Sequence, residues 1–165
     1  FSPIRTDVVD ATTEAANIKA TMDASLNSTS FASMDSGWLY IYDRYNDRYA
    51  YVPANGATAG LCARTDYTND AWWSPAGYNR GQIFGVTKVA YNPTKVNRDN
   101  LYKARINPIV TFPGQGTLLF GDKTLLAKPS AFDRINVRRL FITLEKSIAN
   151  FARFKSFFNC SPIYL

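Results

Sequence analysis

The nearest approach to a chemical motif in this chain is Gly116-Thr117-Leu118-Leu119-Phe120-Gly121-Asp122-Lys123-Thr124, which has the outline of a phosphate-binding loop. Such a loop needs its Lys directly after the second Gly, so that backbone N–H groups and the ammonium close on the phosphates together. Asp122 stands in that place and would repel phosphate, and Leu118-Leu119-Phe120 reads as strand. Nucleotide binding is not expected. The sequence contains no His, which removes Ser-His-Asp and Cys-His nucleophile systems and the His-containing zinc and iron sites. The acids are scattered, without the paired spacing that general acid–base work requires. Cys62 and Cys160 are too few for a disulfide framework or a zinc site and are expected as free thiols. The chain reads as a non-enzyme, with no catalytic residue, cofactor or metal.

Charge is the other chemical signal. The net charge is +6 over 165 residues. From Asp122 to Lys155 eight basic residues (Lys123, Lys128, Arg134, Arg138, Arg139, Lys146, Arg153, Lys155) face only Asp122, Asp133 and Glu145, so this segment carries +5. An excess of this kind suits an acidic partner surface or nucleic acid. Single-strand binders interleave stacking rings with cations along one groove. Here the tyrosines and the cations occupy different stretches, which leaves a basic nucleic-acid-binding domain as the alternative reading.

The elements that position these residues are partly legible. Val8, Ala11, Ala15, Ile18, Met22 and Leu26 have helical spacing over 7–26. Trp38–Tyr42 alternates as a strand, and Arg48–Val52 answers it across a polar turn, predicting a hairpin whose tyrosines are partly buried. A short helix is expected around Ala59–Arg64, a strand over Ile83–Val89, and a helix over Asn97–Lys103 capped by Asn97. Ile106–Phe112 and Thr117–Phe120 read as strands around the turn Pro113-Gly114-Gln115-Gly116. The last helix has Asn136 as its expected cap and an apolar stripe of Val137, Leu140, Phe141, Leu144, Ile148, Phe151 and Ala152, expected to enter the core. At ~100° per residue, Arg139, Thr143, Lys146, Asn150 and Arg153 fall on the far side. Arg139, Lys146 and Arg153 are the candidate contact residues. The fold class expected is α/β or α+β, a mixed β-sheet flanked by helices with one hairpin and a long C-terminal amphipathic helix. Residues 1–165 form one domain, and 159–165 an atypical tail in which Pro162 stops any helix. FSPIRTDVVD lacks the plan of a signal peptide and lacks a starting Met, which predicts a fragment or processed product. No run approaches the ~18 apolar residues of a membrane span.

Taken in order, NGATAGLCARTD (Asn55–Asp66), a Trp before SPAGYNRG (Ser74–Gly81), RDNLYKARINPIV (Arg98–Val110), PGQGTLLFGDKTL (Pro113–Leu125) and SAFDRINVRRLFITLEKSI (Ser130–Ile148) resemble the contractile-tail sheath family of T-even type bacteriophages. The resemblance runs from about Gly37 to Phe157 and more loosely over the first helix. It implies the conserved, tube-proximal α/β domain of a larger subunit. Subunits of that family stack as hexameric rings around a tail tube, between baseplate and tail terminator, and contract to drive the tube through the host envelope. The resemblance further implies no cofactor, no nucleic acid and no membrane insertion. It also implies assembly in the host cytoplasm, a place in the virion, and lacing of neighbouring subunits by terminal arms. Without those arms the 165-residue chain is expected to be monomeric. The family places the last helix against the tube, which makes Arg139, Lys146 and Arg153 expected tube contacts.

Overall fold

The computed structural model describes residues 28–158; the helical spacing over 7–26 and the tail 159–165 lie outside them. Within this range the class is α+β, with two small antiparallel sheets and three helices. The first sheet is built on the expected hairpin. Strand β1 (Trp38–Asp43) pairs with β2 (Arg48–Pro53) in the register Tyr40↔Tyr51 and Tyr42↔Tyr49. Asp43 fixes the turn by accepting from Tyr45 N at 3.0 Å and from Asn46 Nδ2 at 2.6 Å. The Asn46 side chain foremost, with the Tyr45 amide, holds the Asp43 carboxyl below its usual value. Strict alternation sends Leu39 and Ile41 inward and the tyrosines outward. The expected partial burial fails for Tyr42, Tyr49 and Tyr51, which lie on the solvent face. Tyr49 stacks on Tyr40, and the pairs Tyr40–Tyr51 and Tyr42–Tyr49 meet at a tilt, with centroids 4.7–5.4 Å apart.

The strand expected over Ile83–Val89 is two strands in two sheets. Strand β3 (Gln82–Ile83) belongs to the second sheet and β4 (Val86–Val89) completes the first, in the order β2-β1-β4. The chain turns between them at Gly85, whose φ of 77° a side-chain-bearing residue rarely adopts. The second sheet has the order β3-β6-β5, from β5 (Ile109–Phe112) and β6 (Gly116–Leu119).

Helix α1 (Asn55–Thr68) is longer than its sequence suggests because it buries few apolar residues. Its inner face is Thr58, Leu61 and Thr65, and the hydroxyls of the two threonines bond back to the carbonyls of Ala54 and Leu61. Helix α2 (Lys95–Lys103) is capped by Thr94, whose side chain accepts from Asn97 N; Asn97 is the capped residue, not the cap. Helix α3 (Ile135–Phe158) follows a 3₁₀ turn at Ala131–Asp133. It begins before Asn136, which therefore sits in the first turn and is not its cap.

Two clusters make the core. Leu39, Ala54, Leu61, Ile109 and Leu119 lie between α1 and the sheets. Met34, Leu101, Ala104, Ile106 and Leu125 lie under α2. Asn107, fully buried, joins the segments around them. Its side-chain amide pairs with the backbone of Lys123, accepting at 2.7 Å and donating at 3.0 Å, and also donates to Asp35 at 3.3 Å. Gly121 permits this approach, since a Cβ there would meet Asn107 Oδ1 at 2.9 Å.

Burial raises the Asp35 carboxyl above its ordinary value, while hydrogen bonds from Thr58 and Asn107 pull the other way. The folded state then holds the proton to higher pH than the unfolded chain. Stability must fall as pH rises from the ordinary aspartate value through the folded one. Asp35→Asn keeps an acceptor for Asn107 and removes the charge. It is expected to raise the melting temperature at pH 7 and to flatten the stability slope above pH 4. An unchanged slope in urea titrations at several pH values would show that Asp35 is not the titrating group.

Candidate functional site: the final helix and its base

The loop SPAGYNRG and the residues around Asp122 position the final helix. Gly77 N donates to Leu119 O at 2.9 Å, and Leu119 N to Gly81 O at 2.8 Å, so the loop extends the second sheet. Arg80 is held by Ser74 O at 2.7 Å and lies over the Trp73 ring at 4.9 Å. Ser74 Oγ donates to Asp122 at 3.2 Å, and Arg134 meets the same carboxylate at 2.7 Å. The Asp122 carbonyl accepts from Ile135 N at 2.8 Å. Asp122, the residue that spoils the phosphate loop, is thus the anchor from which α3 starts. The Arg134 guanidinium also bonds the Tyr102 hydroxyl. Burial first, and then the Asp122 charge, hold that phenol above its usual value.

The docked side of α3 differs from the expected one. Ile135 is buried, and Arg138, Arg139 and Ile142 are half-buried against 30–33 and Thr124, around a cleft of about 110 Å³. Arg138 is sandwiched between the rings of Phe31 (4.3 Å) and Phe132 (4.2 Å) and bonds Ser30 Oγ. Arg139 turns to α1, where it pairs with Asp66 and donates to Cys62 O at 3.3 Å. Its side chain is 17% exposed. Cys62 is a free thiol, pushed up chiefly by burial and so kept as an unreactive S–H.

The apolar stripe expected in the core is instead the outer face. Val137 and Leu140 are half-buried, Phe141 rests edge-on against Phe132 at 4.7 Å, and Leu144, Ile148 and Phe151 are 45%, 65% and 65% exposed. From Thr143 to Phe154 every residue is exposed. Of the three candidate contacts, Arg139 belongs to the helix base, while Lys146 and Arg153 lie further out on the exposed part. Seven-residue spacing puts successive members ~10.5 Å apart along one side. Sequence reasoning missed Asp66 and the Phe31 side of the aromatic seat of Arg138, because those pairings join positions far apart in the chain; Phe132, the other side of the seat, is near in sequence but precedes the helix. The one available signal was that Arg138 and Arg139 lie in the first turns of the helix, apart from Lys146, Arg153 and Lys155 further along it.

Among the described residues no group of three or more Cys, Asp or Glu could hold a metal ion, and no helix is long and apolar enough to cross a membrane. An anchored helix with exposed apolar and basic residues is suited to binding another macromolecule. Residues 5–125 match the family described as the phage tail sheath protein central domain. The chain belongs to the phage tail sheath protein family. It is 50% identical to the tail sheath protein of Vibrio phage KVP40 over 86% of its length, and 48% identical to that of Enterobacteria phage T4 over 79%. It spans only 21% and 20% of those proteins, about a fifth of each. Among solved structures it resembles the sheath complex of an extracellular contractile injection system, PVC, in the contracted state. That match has a TM-score of 0.75 and 25% identity, covering 99% of this chain and 41% of the other. The contracted baseplate structure of the anti-feeding prophage gives a TM-score of 0.71 at 24% identity over 91% of this chain and 39% of the other, a likeness of fold.

Proposed function

We propose that this chain is part of a contractile-tail sheath subunit, a structural component of the virion with no catalytic role. The match of residues 5–125 to the family's central domain carries the reading. In this reading subunits assemble in the host cytoplasm as hexameric rings around a tail tube, between baseplate and terminator. Heterologous contacts that do not close produce such helical stacks. Contraction then requires a second packing of lower energy and a barrier removed locally at the baseplate. The exposed stripe Leu144, Ile148 and Phe151 supports an assembly role, since apolar patches of this kind mark interaction surfaces. Nothing in the described residues or the relatives favours nucleic-acid binding.

Within this reading the tube is met by Lys146 and Arg153, with Arg139 at the base of the same side. An exposed ion pair contributes only ~0.2–1 kcal/mol, so one subunit holds weakly, and repetition around and along the tube provides the avidity. Polar contacts of this strength also release when the sheath widens. Because Arg139 holds Asp66, Lys146→Glu with Arg153→Glu is the cleaner test. In the full-length protein this pair is expected to abolish sheathing of tubes under the electron microscope while striated sheath-only polymers persist. Tubes sheathed at normal length would refute the tube assignment, and full-length protein that never forms striated tubes would refute the sheath reading itself.

A further inference from the structure

A pocket of about 500 Å³ lies between the end of α2 and residues 123–133, away from the face of α3 discussed above. Lys103, Arg105, Lys123 and Lys128 line it, against the single carboxylate of Asp133. Lys123 is half-buried and lies over the Tyr102 ring at 4.5 Å. Arg105 follows the C-cap of α2 with φ 67°. That is the left-handed conformation in which helices usually place Gly. A glycine there would relieve the backbone, but it would remove a guanidinium from the pocket wall. Arg105 Nη1 donates to Leu125 O at 2.7 Å, which fixes the side chain across the pocket base.

The backbone of the pocket is already committed. Lys123 N donates to Asn107 Oδ1, Thr124 N to Asp133 O, Leu125 N to Ala32 O and Ala127 N to Ser28 Oγ. No row of amide N–H groups is left to form the nest in which free phosphate is usually held. An anion here is held by side chains alone, beside an apolar wall of Leu126, Ala127 and Pro129. Carboxylates on aliphatic stems fit both features. We propose that this pocket receives the acidic side chains of an extended segment of another protein chain. The inference stands on the pocket and does not require the sheath reading.

The probe is a fluorescein-labelled hexapeptide, Leu-Glu-Glu-Leu-Asp-Glu, titrated with the full chain and followed by anisotropy at low and high salt. Lys103 and Lys128 are exposed, so Lys103→Glu with Lys128→Glu should keep the fold, with only a small drop in melting temperature from the negative charge placed in the last turn of α2. The variant is expected to bind at least ~tenfold more weakly, because like charges now face each other. Salt should weaken the parent protein's binding. Arg44→Glu with Lys95→Glu makes the same change in net charge elsewhere and should bind as the parent does. Equal loss in that control would mean only the overall charge is felt, and the proposal would fail. It would fail equally if the pocket variant binds normally, if no saturation is reached by millimolar protein, or if inorganic triphosphate displaces the peptide as well as unlabelled peptide does.

Discussion

Asn107→Ala is expected to destabilise the protein by about 3 kcal/mol, because its side chain does the work of a strand partner inside the core. The residue is fully buried, and its amide makes paired bonds to the N–H and C=O of Lys123 and a further bond to Asp35. Truncation leaves the Lys123 N–H and C=O without their Asn107 partners at a part-buried position. Each such buried group carries a penalty of roughly 1–3 kcal/mol, and the space left by the amide adds to it. The Lys123 bonds also set the approach of Asp122 to Arg134, so α3 should loosen together with the core. Urea unfolding should show a lower midpoint with an unchanged slope. Asn107→Asp is a useful companion, since it keeps the shape and the acceptor but removes the donor to Lys123 and places a second carboxyl beside Asp35. It should be at least as damaging. A loss below about 1 kcal/mol in Asn107→Ala would mean that water or a shifted backbone replaces the amide.

This residue also shows what the sequence could and could not disclose. Ile106-Asn107-Pro108 carried the family resemblance, yet nothing in the spacing says that Asn107 reaches residues 35 and 123. Local signals succeeded where local physics decides: alternation on either side of a polar turn gave the hairpin. They failed where distant contacts decide. The run Ile83–Val89 reads as one β-prone stretch, and only Gly85 within it records that the chain crosses between sheets. Helix α1 buries threonines that satisfy their own hydroxyls, so its apolar pattern is too weak to mark its length. For α3 the periodicity was correct and the inference from it was not. The stripe is real, but Asp122, Phe31, Phe132 and Asp66 dock the opposite side of the helix base through Arg134, Arg138 and Arg139. An amphipathic pattern states that two faces differ. Which face meets the rest of this domain depends on partners that the helix sequence does not contain.

One added methyl group should have opposite effects at two glycines. A Cβ on Gly81 would lie 2.6 Å from Leu119 O and 2.7 Å from both Gly77 N and Gly77 O. All three are backbone atoms: Gly77 N and Leu119 O form a bond that joins the SPAGYNRG loop to β6, Gly77 O accepts from Gly81 N within the loop, and none can rotate away. Gly81 shows no left-handed φ, so the requirement for glycine here is space and not conformation. Gly81→Ala must part the loop from the strand, and overpacking of this kind costs about 3 kcal/mol. Because Ser74 in that loop also holds Asp122, the damage should reach the start of α3. Gly60, exposed within α1, has nothing within 4 Å of its added Cβ. There Ala removes only the flexibility of the unfolded chain and should stabilise by up to ~1 kcal/mol. By circular dichroism, Gly81→Ala should melt roughly 5–10 °C lower and Gly60→Ala about 2–4 °C higher than the parent. A Gly81→Ala protein that melts with the parent would show that the loop is not tied to β6 through Leu119.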